Sequence, residues 1–232
     1  MEIRIFKYDP AVDAEPYYIT HDVPFKEKMT LLEAITYVHE NFEAVNFDYS
    51  CHGRMCGRCS VMLDSIPALA CCTPLKDEAH TIEPLKGMTV IRDLIVDKRD
   101  FDDRLSKQYT RIRTEPIKTE DMNEFDGDAA KVIYDIVNCT RCGCCDAYCP
   151  VYQMHPDTFV GPATMVAVAF RNYDTYDQAD RVLEAVSKGL YNCTLCGQCD
   201  QVCPRPEIHH VEMWNELRAQ AEEKGLKPSY AE

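Results

Sequence analysis

The sequence is poor in the features that mark an enzyme with its own bond-making site. Glycine is scarce, at nine of 232 residues, and no G-x-G-x-x-G run, Walker loop or nucleophile–base pair is visible. Glycine-rich loops of these kinds are what bring backbone amides close to a dinucleotide or a nucleoside triphosphate. The sequence therefore argues against dinucleotide binding by this chain and against an independent dehydrogenase.

The sequence also has fewer basic than acidic residues, and it has no long apolar runs. Lys and Arg number 25 against 39 Asp and Glu, and the net charge of −14 argues against nucleic acid and against a basic patch for anionic lipid. No apolar run approaches the ~18 residues that a bilayer span requires. The first ten residues, MEIRIFKYDP, lack a basic segment followed by an apolar one, so no signal peptide is expected. We expect membrane attachment, if any, through a partner.

Cysteine is abundant, and eleven of the fourteen cysteines fall into three short patterns. Cys51, Cys56 and Cys59 form C-x4-C-x2-C, the plant-type [2Fe–2S] spacing. Two later runs read C-x2-C-x2-C-x3-C-P, which is the bacterial two-cluster ferredoxin pattern. Disulfides are a poor alternative in so long a chain without a signal peptide. Zinc sites do not explain the third and fourth cysteines of each repeated run.

In the two-cluster pattern the fourth cysteine of each run ligates the other cluster. The following proline stops the turn from continuing as a helix. The sequence therefore predicts two [4Fe–4S] ligand sets, which are Cys139, Cys142, Cys145 and Cys203 for the first and Cys149, Cys193, Cys196 and Cys199 for the second. Three clusters in one chain indicate a carrier of single electrons.

The [2Fe–2S] loop needs a fourth ligand, and its spacing leaves two candidates. Cys71 and Cys72 both follow Cys59 at a suitable distance along the chain. Gly53 and Gly57 allow the loop backbone to approach a cluster, so that amide N–H groups point at sulfur.

The pattern of apolar residues predicts an α+β chain. Strands are predicted at Glu2–Lys7, Tyr17–His21, Ser60–Leu63 and Thr81–Ile82, with Ile66 and Pro67 in a turn, and Thr30-x-x-Glu33 predicts a helix with a capping box. These elements suit an N-terminal β-grasp plant-type ferredoxin domain over residues 1–106. A polar linker over 107–130 and an all-α two-cluster ferredoxin domain over 131–232 follow, with helices at 163–172, 176–190 and 208–224.

Taken together, the motifs resemble the iron–sulfur subunit of succinate dehydrogenase and fumarate reductase. The resemblance rests on Ser50 to Cys59, Pro67 to Cys71, Cys139 to Pro150, Phe159 to Ala163, and Cys193 to Pro204. It implies that Cys71 is the fourth [2Fe–2S] ligand, that Cys72 is spare, and that Cys144 is not a ligand. Most members lack the second cysteine of the last run and carry [3Fe–4S], whereas Cys196 is present here, as in the variant with two [4Fe–4S] clusters.

The resemblance also implies partners. A separate flavoprotein subunit would bind FAD and hold the dicarboxylate active site. A quinone-linked membrane subunit, or a cysteine-rich membrane-associated one, would take the other side, and would place the complex peripherally on the cytoplasmic face of the membrane. The alternatives are a subunit of another flavoprotein reductase, thiol-linked or heterodisulfide-reductase-like, and a free ferredoxin-like carrier.

Overall fold

The computed structural model of the protein describes residues 1–118, 120 and 127–231. These residues form two compact units, the first comprising Met1–Arg99 with Thr140–Tyr148, and the second comprising Asp100–Cys139 with Cys149–Glu232. The predicted domains at 1–106 and 131–232 divide the chain at other points and stay a prediction. Part of the predicted linker, residues 119 and 121–126, lies outside the described residues.

The first unit contains a five-stranded mixed sheet with the strand order β2-β1-β5-β3-β4. Strand β1 pairs antiparallel with β2 and parallel with β5, while β3 is antiparallel to both β4 and β5. Alternation buries one face of β1, including Ile3 and Ile5. The strands are β1 Glu2–Lys7, β2 Tyr17–Asp22, β3 Ser60–Leu63, β4 Ile66–Leu69 and β5 His80–Pro84.

The main helix of the first unit is α1, Leu31–Asn41. The predicted capping box is confirmed, because the Thr30 hydroxyl accepts from the Glu33 amide and the Glu33 carboxylate accepts from the Thr30 amide. The apolar face at helical spacing is buried, from Leu31 to Val38. This sheet with its helix confirms the β-grasp arrangement expected of a plant-type ferredoxin.

The predicted turn at Ile66 and Pro67 is wrong, since both residues lie in strand β4. The turn lies two residues earlier, at Asp64 and Ser65, which both have positive φ, 50° and 68°. A two-residue hairpin with two left-handed residues matches the twist of its strands. Pro67 is tolerated because β4 is an edge strand. A further small hairpin, β6 Val90–Arg92 and β7 Ile95–Val96, was not predicted.

The second unit is helical, as predicted, and its core surrounds Trp214, Phe159 and Met165. Trp214 is fully buried and packs in this core. The helices of the second unit are α2 Arg99–Tyr109, whose first residue is still counted in the first unit, α3 Gly127–Val137, α5 Pro150–Met154, α6 Pro162–Asn172, α7 Arg181–Ser187, α8 Gln198–Val202 and α9 His210–Glu223. The short helix α4, Cys144–Tyr148, belongs to the first unit, and 3₁₀ turns lie at Leu190–Asn192 and Ser229–Ala231.

Two helix predictions agree with the structure within two residues, and one does not. Helices α6 and α9 lie where the apolar spacing places them. The helix predicted over 176–190 is shorter, because Asp180 accepts from the Leu183 amide and caps α7. It ends before Gly189, which has a φ of +88°. Helices α2 and α3 enter the stretch that the sequence indicated as a polar linker.

Candidate iron–sulfur centres

The loop of the first cysteine motif folds around the sulfur of Cys51. His52, Arg54 and Gly57 all have positive φ, between 51° and 66°. Non-glycine residues seldom adopt this conformation, and such strain concentrates at functional loops. The conformation directs three backbone amides at the Cys51 Sγ, namely those of Gly53 at 3.4 Å, Met55 at 3.3 Å and Cys56 at 3.3 Å.

These amides stabilise the thiolate of Cys51. The hydrogen bonds from the Gly53 and Met55 amides, with that of the Cys56 thiol, lower the pKa of Cys51 to about 6. The thiolate is the form that ligates metals. The predicted role of Gly53 therefore has a direct counterpart, since its backbone N–H points at the sulfur of a predicted ligand.

Cys59 and Cys71 lie next to each other. The Cys71 amide donates to the Cys59 Sγ at 3.4 Å. The pKa of Cys59 is raised to about 12, mainly by burial and in part by the nearby thiols of Cys71 and Cys56. Cys72 instead points its Sγ at the Leu69 carbonyl, 3.6 Å away. The contacts thus join Cys51, Cys56, Cys59 and Cys71 into one group, with Cys72 at its margin.

The segment Thr140–Tyr148 carries Cys142, Cys144 and Cys145, which are all buried in the first unit. The Cys144 thiol donates to the Cys142 sulfur, which lowers the pKa of Cys142 to about 6. The same bond and burial raise the pKa of Cys144. Cys144 therefore keeps its proton and supports a neighbouring thiolate, which suits a residue that is not itself a ligand.

The four cysteines of the second predicted set are neighbours within the second unit. Burial raises the pKa of Cys199, and the charges of Cys193 and Cys149 add to the effect. Burial also raises the pKa of Cys193, to which Cys196 contributes. The Leu195 amide donates to the Cys193 Sγ at 3.4 Å, and Cys149 caps α5 through the Tyr152 amide.

The two repeated runs share their backbone conformation. Arg141 and Leu195, each two residues after the first cysteine of its run, have φ values of 53° and 55°. Gly143 and Gly197, each just after the second cysteine, have φ values of 84° and 74°. Equal spacing therefore produces the same loop twice, which is what two cubane-binding loops require.

Of the remaining ligand candidates, Cys139 follows α3 and Cys203 follows α8, and both are partly exposed. They belong to the second unit, while Cys142 and Cys145 belong to the first. The first [4Fe–4S] set therefore stays a prediction based on the cysteine spacing.

Sequence reasoning missed two residues that hold the cluster loops. Lys98 Nζ donates to the carbonyls of Gly57 and Cys142 at 3.0 and 3.2 Å. In the second unit, the Arg218 Nη2 donates to the Cys193 carbonyl at 2.5 Å. Neither cation lies near a cysteine in the sequence, so the cysteine motifs carry no signal for them.

Asp200 organises the start of α9. Its Oδ1 accepts from the His210 amide at 2.6 Å and lies 2.9 Å from His210 Nδ1, and its Oδ2 accepts from the Val211 amide at 3.2 Å. His210 is buried, with its ring edge-on to Trp214. His210 is therefore a structural histidine whose Nδ1 has a hydrogen-bond partner in Asp200.

Comparisons with known proteins agree with this geometry. A family model described as a 2Fe-2S iron-sulfur cluster binding domain matches residues 2–103, and one described as a 4Fe-4S dicluster domain matches residues 135–206. The chain is 30% identical to the fumarate reductase iron-sulfur subunit of Escherichia coli O6:H1, over 88% of this chain and 86% of that one. It is 32% identical to the same subunit of Mycobacterium tuberculosis, over 88% and 85%.

A longer relative and a solved structure complete the comparison. A subunit of the fumarate reductase (CoM/CoB) of Methanothermobacter marburgensis is 30% identical over 98% of this chain, which spans only 46% of that protein. The Mycobacterium smegmatis Sdh1 complex contains a chain of the same fold, with a TM-score of 0.80, 21% identity and 98% coverage of both chains.

The fold and the grouped cysteines define an electron-transfer protein that binds [2Fe–2S] and [4Fe–4S] clusters. The matched family models cover most of the chain, and the curated relatives named above are all fumarate reductase subunits. The chain belongs to the family of the fumarate reductase and succinate dehydrogenase iron–sulfur subunits. Among the described residues, no helix has the length and apolar character needed to cross a bilayer.

Proposed function

We propose that this chain relays electrons between the FAD of a flavoprotein subunit and a quinone-linked membrane subunit. The complex would interconvert succinate and fumarate, with the dicarboxylate site on the flavoprotein. The observation that carries the proposal is the grouping of cysteines by unit. In the first unit Cys56 interacts with both Cys51 and Cys59, and in the second unit Cys193 interacts with both Cys196 and Cys199, which supports the predicted sets.

The ligand assignment follows from these groups. Cys51, Cys56, Cys59 and Cys71 would hold the [2Fe–2S] cluster. Cys149, Cys193, Cys196 and Cys199 would hold one [4Fe–4S] cluster, because Cys196 provides the fourth thiolate that a [3Fe–4S] site lacks. The spacing assigns the other cubane to Cys139, Cys142, Cys145 and Cys203.

The donor chemistry fits clusters. Amides aimed at Cys51 and Cys193 sulfurs would stabilise thiolate charge and raise the reduction potential of the cluster they face. Bound clusters would supply one-electron carriers. The chain's own residues position the sulfurs and exclude water from the buried ligands Cys59, Cys142 and Cys199.

The exposed loop that carries Cys51 in the first unit suits contact with the flavoprotein. Cys51 is exposed, and the side chain of Met55 in the same loop is 63% exposed. An exposed apolar side chain beside a cluster offers a contact surface for a partner subunit, and it leaves only a short distance for electron transfer. We propose that the flavoprotein binds at this loop, and that the membrane partner holds the complex on the cytoplasmic face of the membrane.

A second candidate is a thiol-linked reductase. It is favoured by the methanogen relative, whose name couples fumarate reductase with CoM and CoB, and which the chain matches over 98% of its length. The iron–sulfur centres would be the same, but electrons would come from thiols instead of a quinol. The source of electrons therefore separates the two candidates.

The test is anaerobic purification of the chain with its natural partners. We expect a flavoprotein to co-purify, and about ten irons and ten acid-labile sulfides per iron–sulfur chain. Succinate should then develop a [2Fe–2S] electron paramagnetic resonance signal that fumarate removes. A soluble monomer without flavoprotein would show a free carrier instead, and zinc without iron would overturn both candidates.

Fumarate reduction by the same preparation is then measured with a quinol and with low-molecular-weight thiols as electron donors. Fumarate reduction with the quinol favours the quinone-linked complex. Activity with low-molecular-weight thiols and none with quinol favours the thiol-linked one.

A further inference from the structure

Lys98 has a half-buried side chain in the first unit, between β7 and α2. Its ammonium group donates three hydrogen bonds. The acceptors are the Ser60 hydroxyl at 2.7 Å, the Gly57 carbonyl at 3.0 Å and the Cys142 carbonyl at 3.2 Å. A lysine ammonium has three N–H donors, so one group can make all three of these contacts.

The carbonyls come from two different cysteine loops. Gly57 lies between Cys56 and Cys59 in the [2Fe–2S] loop, and Cys142 belongs to the first repeated run. The loops touch at this point, because a Cβ placed on Gly57 would be 3.0 Å from the Cys142 Cα. One ammonium group therefore joins the backbones of two loops that carry predicted cluster ligands.

A cation in this position acts on reduction potentials. Each cluster gains negative charge when it is reduced, and a nearby positive charge stabilises that state more in a partly buried site than in water. The ammonium nitrogen lies 3.0 Å from the Gly57 carbonyl oxygen and 3.2 Å from the Cys142 carbonyl oxygen, so its positive charge is held against the backbone of both loops.

We propose that Lys98 is a positioning residue that fixes the Gly57 and Cys142 carbonyls on one ammonium group and raises the reduction potentials of the two clusters ligated from these loops. The inference rests on the proposed ligand sets and goes beyond them, because the cysteine pattern alone requires no cation here.

The experiment compares variants of the holocomplex by potentiometric titration. The [2Fe–2S] midpoint is read from its resonance signal at temperatures where cubane signals are broadened, and the cubane midpoints are read at lower temperature. Lys98→Met should shift the [2Fe–2S] midpoint to lower potential, and that of the cubane ligated by Cys142 as well. Lys98→Arg keeps the positive charge with a different donor geometry, so both midpoints should stay closer to those of the parent complex than the midpoints of Lys98→Met do.

Two further variants make the result decisive. Lys86→Met removes the same charge from an exposed position of the same unit and should leave the midpoints unchanged. Lys98→Gln keeps a hydrogen-bond donor but removes the charge. If Lys98→Met loses a cluster, the midpoints of Lys98→Gln show whether the charge of Lys98 raises the reduction potentials. Midpoints of Lys98→Met, or of Lys98→Gln in that case, equal to those of the parent complex would overturn the inference.

Failure of the proposed function is recognised separately. Iron, sulfide and resonance signals of the parent complex are measured first, and their absence would count against the ligand sets. With the clusters present in the parent, an unchanged potential counts against Lys98 alone.

Discussion

The Cα of Gly57 lies directly against the carbonyl oxygen of Thr140, since a Cβ built on Gly57 would come within 2.2 Å of that oxygen. Gly57 also has a φ of +66°, which side chains rarely adopt. The [2Fe–2S] loop can therefore approach the segment of Cys142 only because this residue has no side chain.

We predict that Gly57→Ala displaces the loop. The new methyl group meets backbone atoms, which cannot move away as a side-chain end can. The substitution should lower the [2Fe–2S] content and destabilise the protein by more than the roughly 1–2 kcal/mol of left-handed strain alone. Iron content, the [2Fe–2S] signal and the urea midpoint measure these effects.

Two glycines provide matched controls for this substitution. Gly53 has only an ordinary contact, 3.5 Å from the Cys51 carbonyl, so Gly53→Ala should retain the cluster. Gly225 has the same φ of +66° with nothing within 4 Å, so Gly225→Ala isolates the strain from the clash. Equal effects of Gly57→Ala and Gly225→Ala would contradict the steric explanation.

We predict that substitutions of Cys71 and Cys72 differ in their effect on the [2Fe–2S] signal. Cys71→Ser should abolish or strongly perturb the [2Fe–2S] signal, because Cys71 contacts Cys59 through both its amide and its thiol. Cys72→Ser should leave the signal intact, since the Cys72 thiol faces the Leu69 carbonyl. Resonance spectra of the two reduced variants make the comparison, and loss of the signal in Cys72→Ser alone would reverse the assignment.

Cys196 predicts the composition of the last cluster. Cys196→Ser should convert that cluster to a three-iron form or abolish it, because three sulfurs of the set remain, and should leave the [2Fe–2S] signal unchanged. The control is Cys72→Ser, which replaces a thiol outside the ligand sets and should keep about ten irons per chain. An unchanged last cluster in Cys196→Ser would show that Cys196 is not a ligand.

The buried ion pair between Lys7 and Asp93 predicts a large stability effect. Lys7 Nζ lies 2.8 Å from Asp93 Oδ2, and the other Asp93 oxygen accepts from the Tyr8 amide. Asp93→Asn leaves the Lys7 charge buried and should cost about 3–5 kcal/mol. The change is measured as a lower urea midpoint at pH 7 by circular dichroism.

Asp93 is ionised at pH 7, so the ion pair with Lys7 is complete at the pH of this measurement. Burial by itself would raise the pKa of Asp93, but the hydrogen bonds from Lys7 and Asn46 outweigh it and lower the pKa. A lowered pKa stabilises the fold above the ordinary carboxyl range, and that stability is lost only as the pH falls through the lowered value. The contribution is therefore fully present at pH 7.

A surface pair is the control for this prediction. Asp9 pairs with Arg92 at 2.9 Å, but the Arg92 side chain is 53% exposed. Asp9→Asn should therefore cost no more than about 1 kcal/mol. Equal costs for the two substitutions would show that burial of the Lys7–Asp93 pair does not matter.

Local patterns were enough to predict much of the architecture. The alternation in Glu2–Lys7 and the box formed by Thr30 and Glu33 depend on residues that are close in the sequence, and both appear in the structure. Pro67 was misleading, because proline is typical of turns but is also accepted at the edge of a sheet, and only strand order shows which strand is at the edge.

The cysteine spacing by itself determined the type of protein and the expected clusters, because ligands with two to four residues between them can fold around one inorganic centre whatever surrounds them. Only the tertiary structure decided which of Cys71 and Cys72 contacts Cys59, and that Lys98 joins Gly57 to Cys142. These contacts link residues 12 to 44 positions apart, and such distances are set by packing of the whole unit rather than by local sequence.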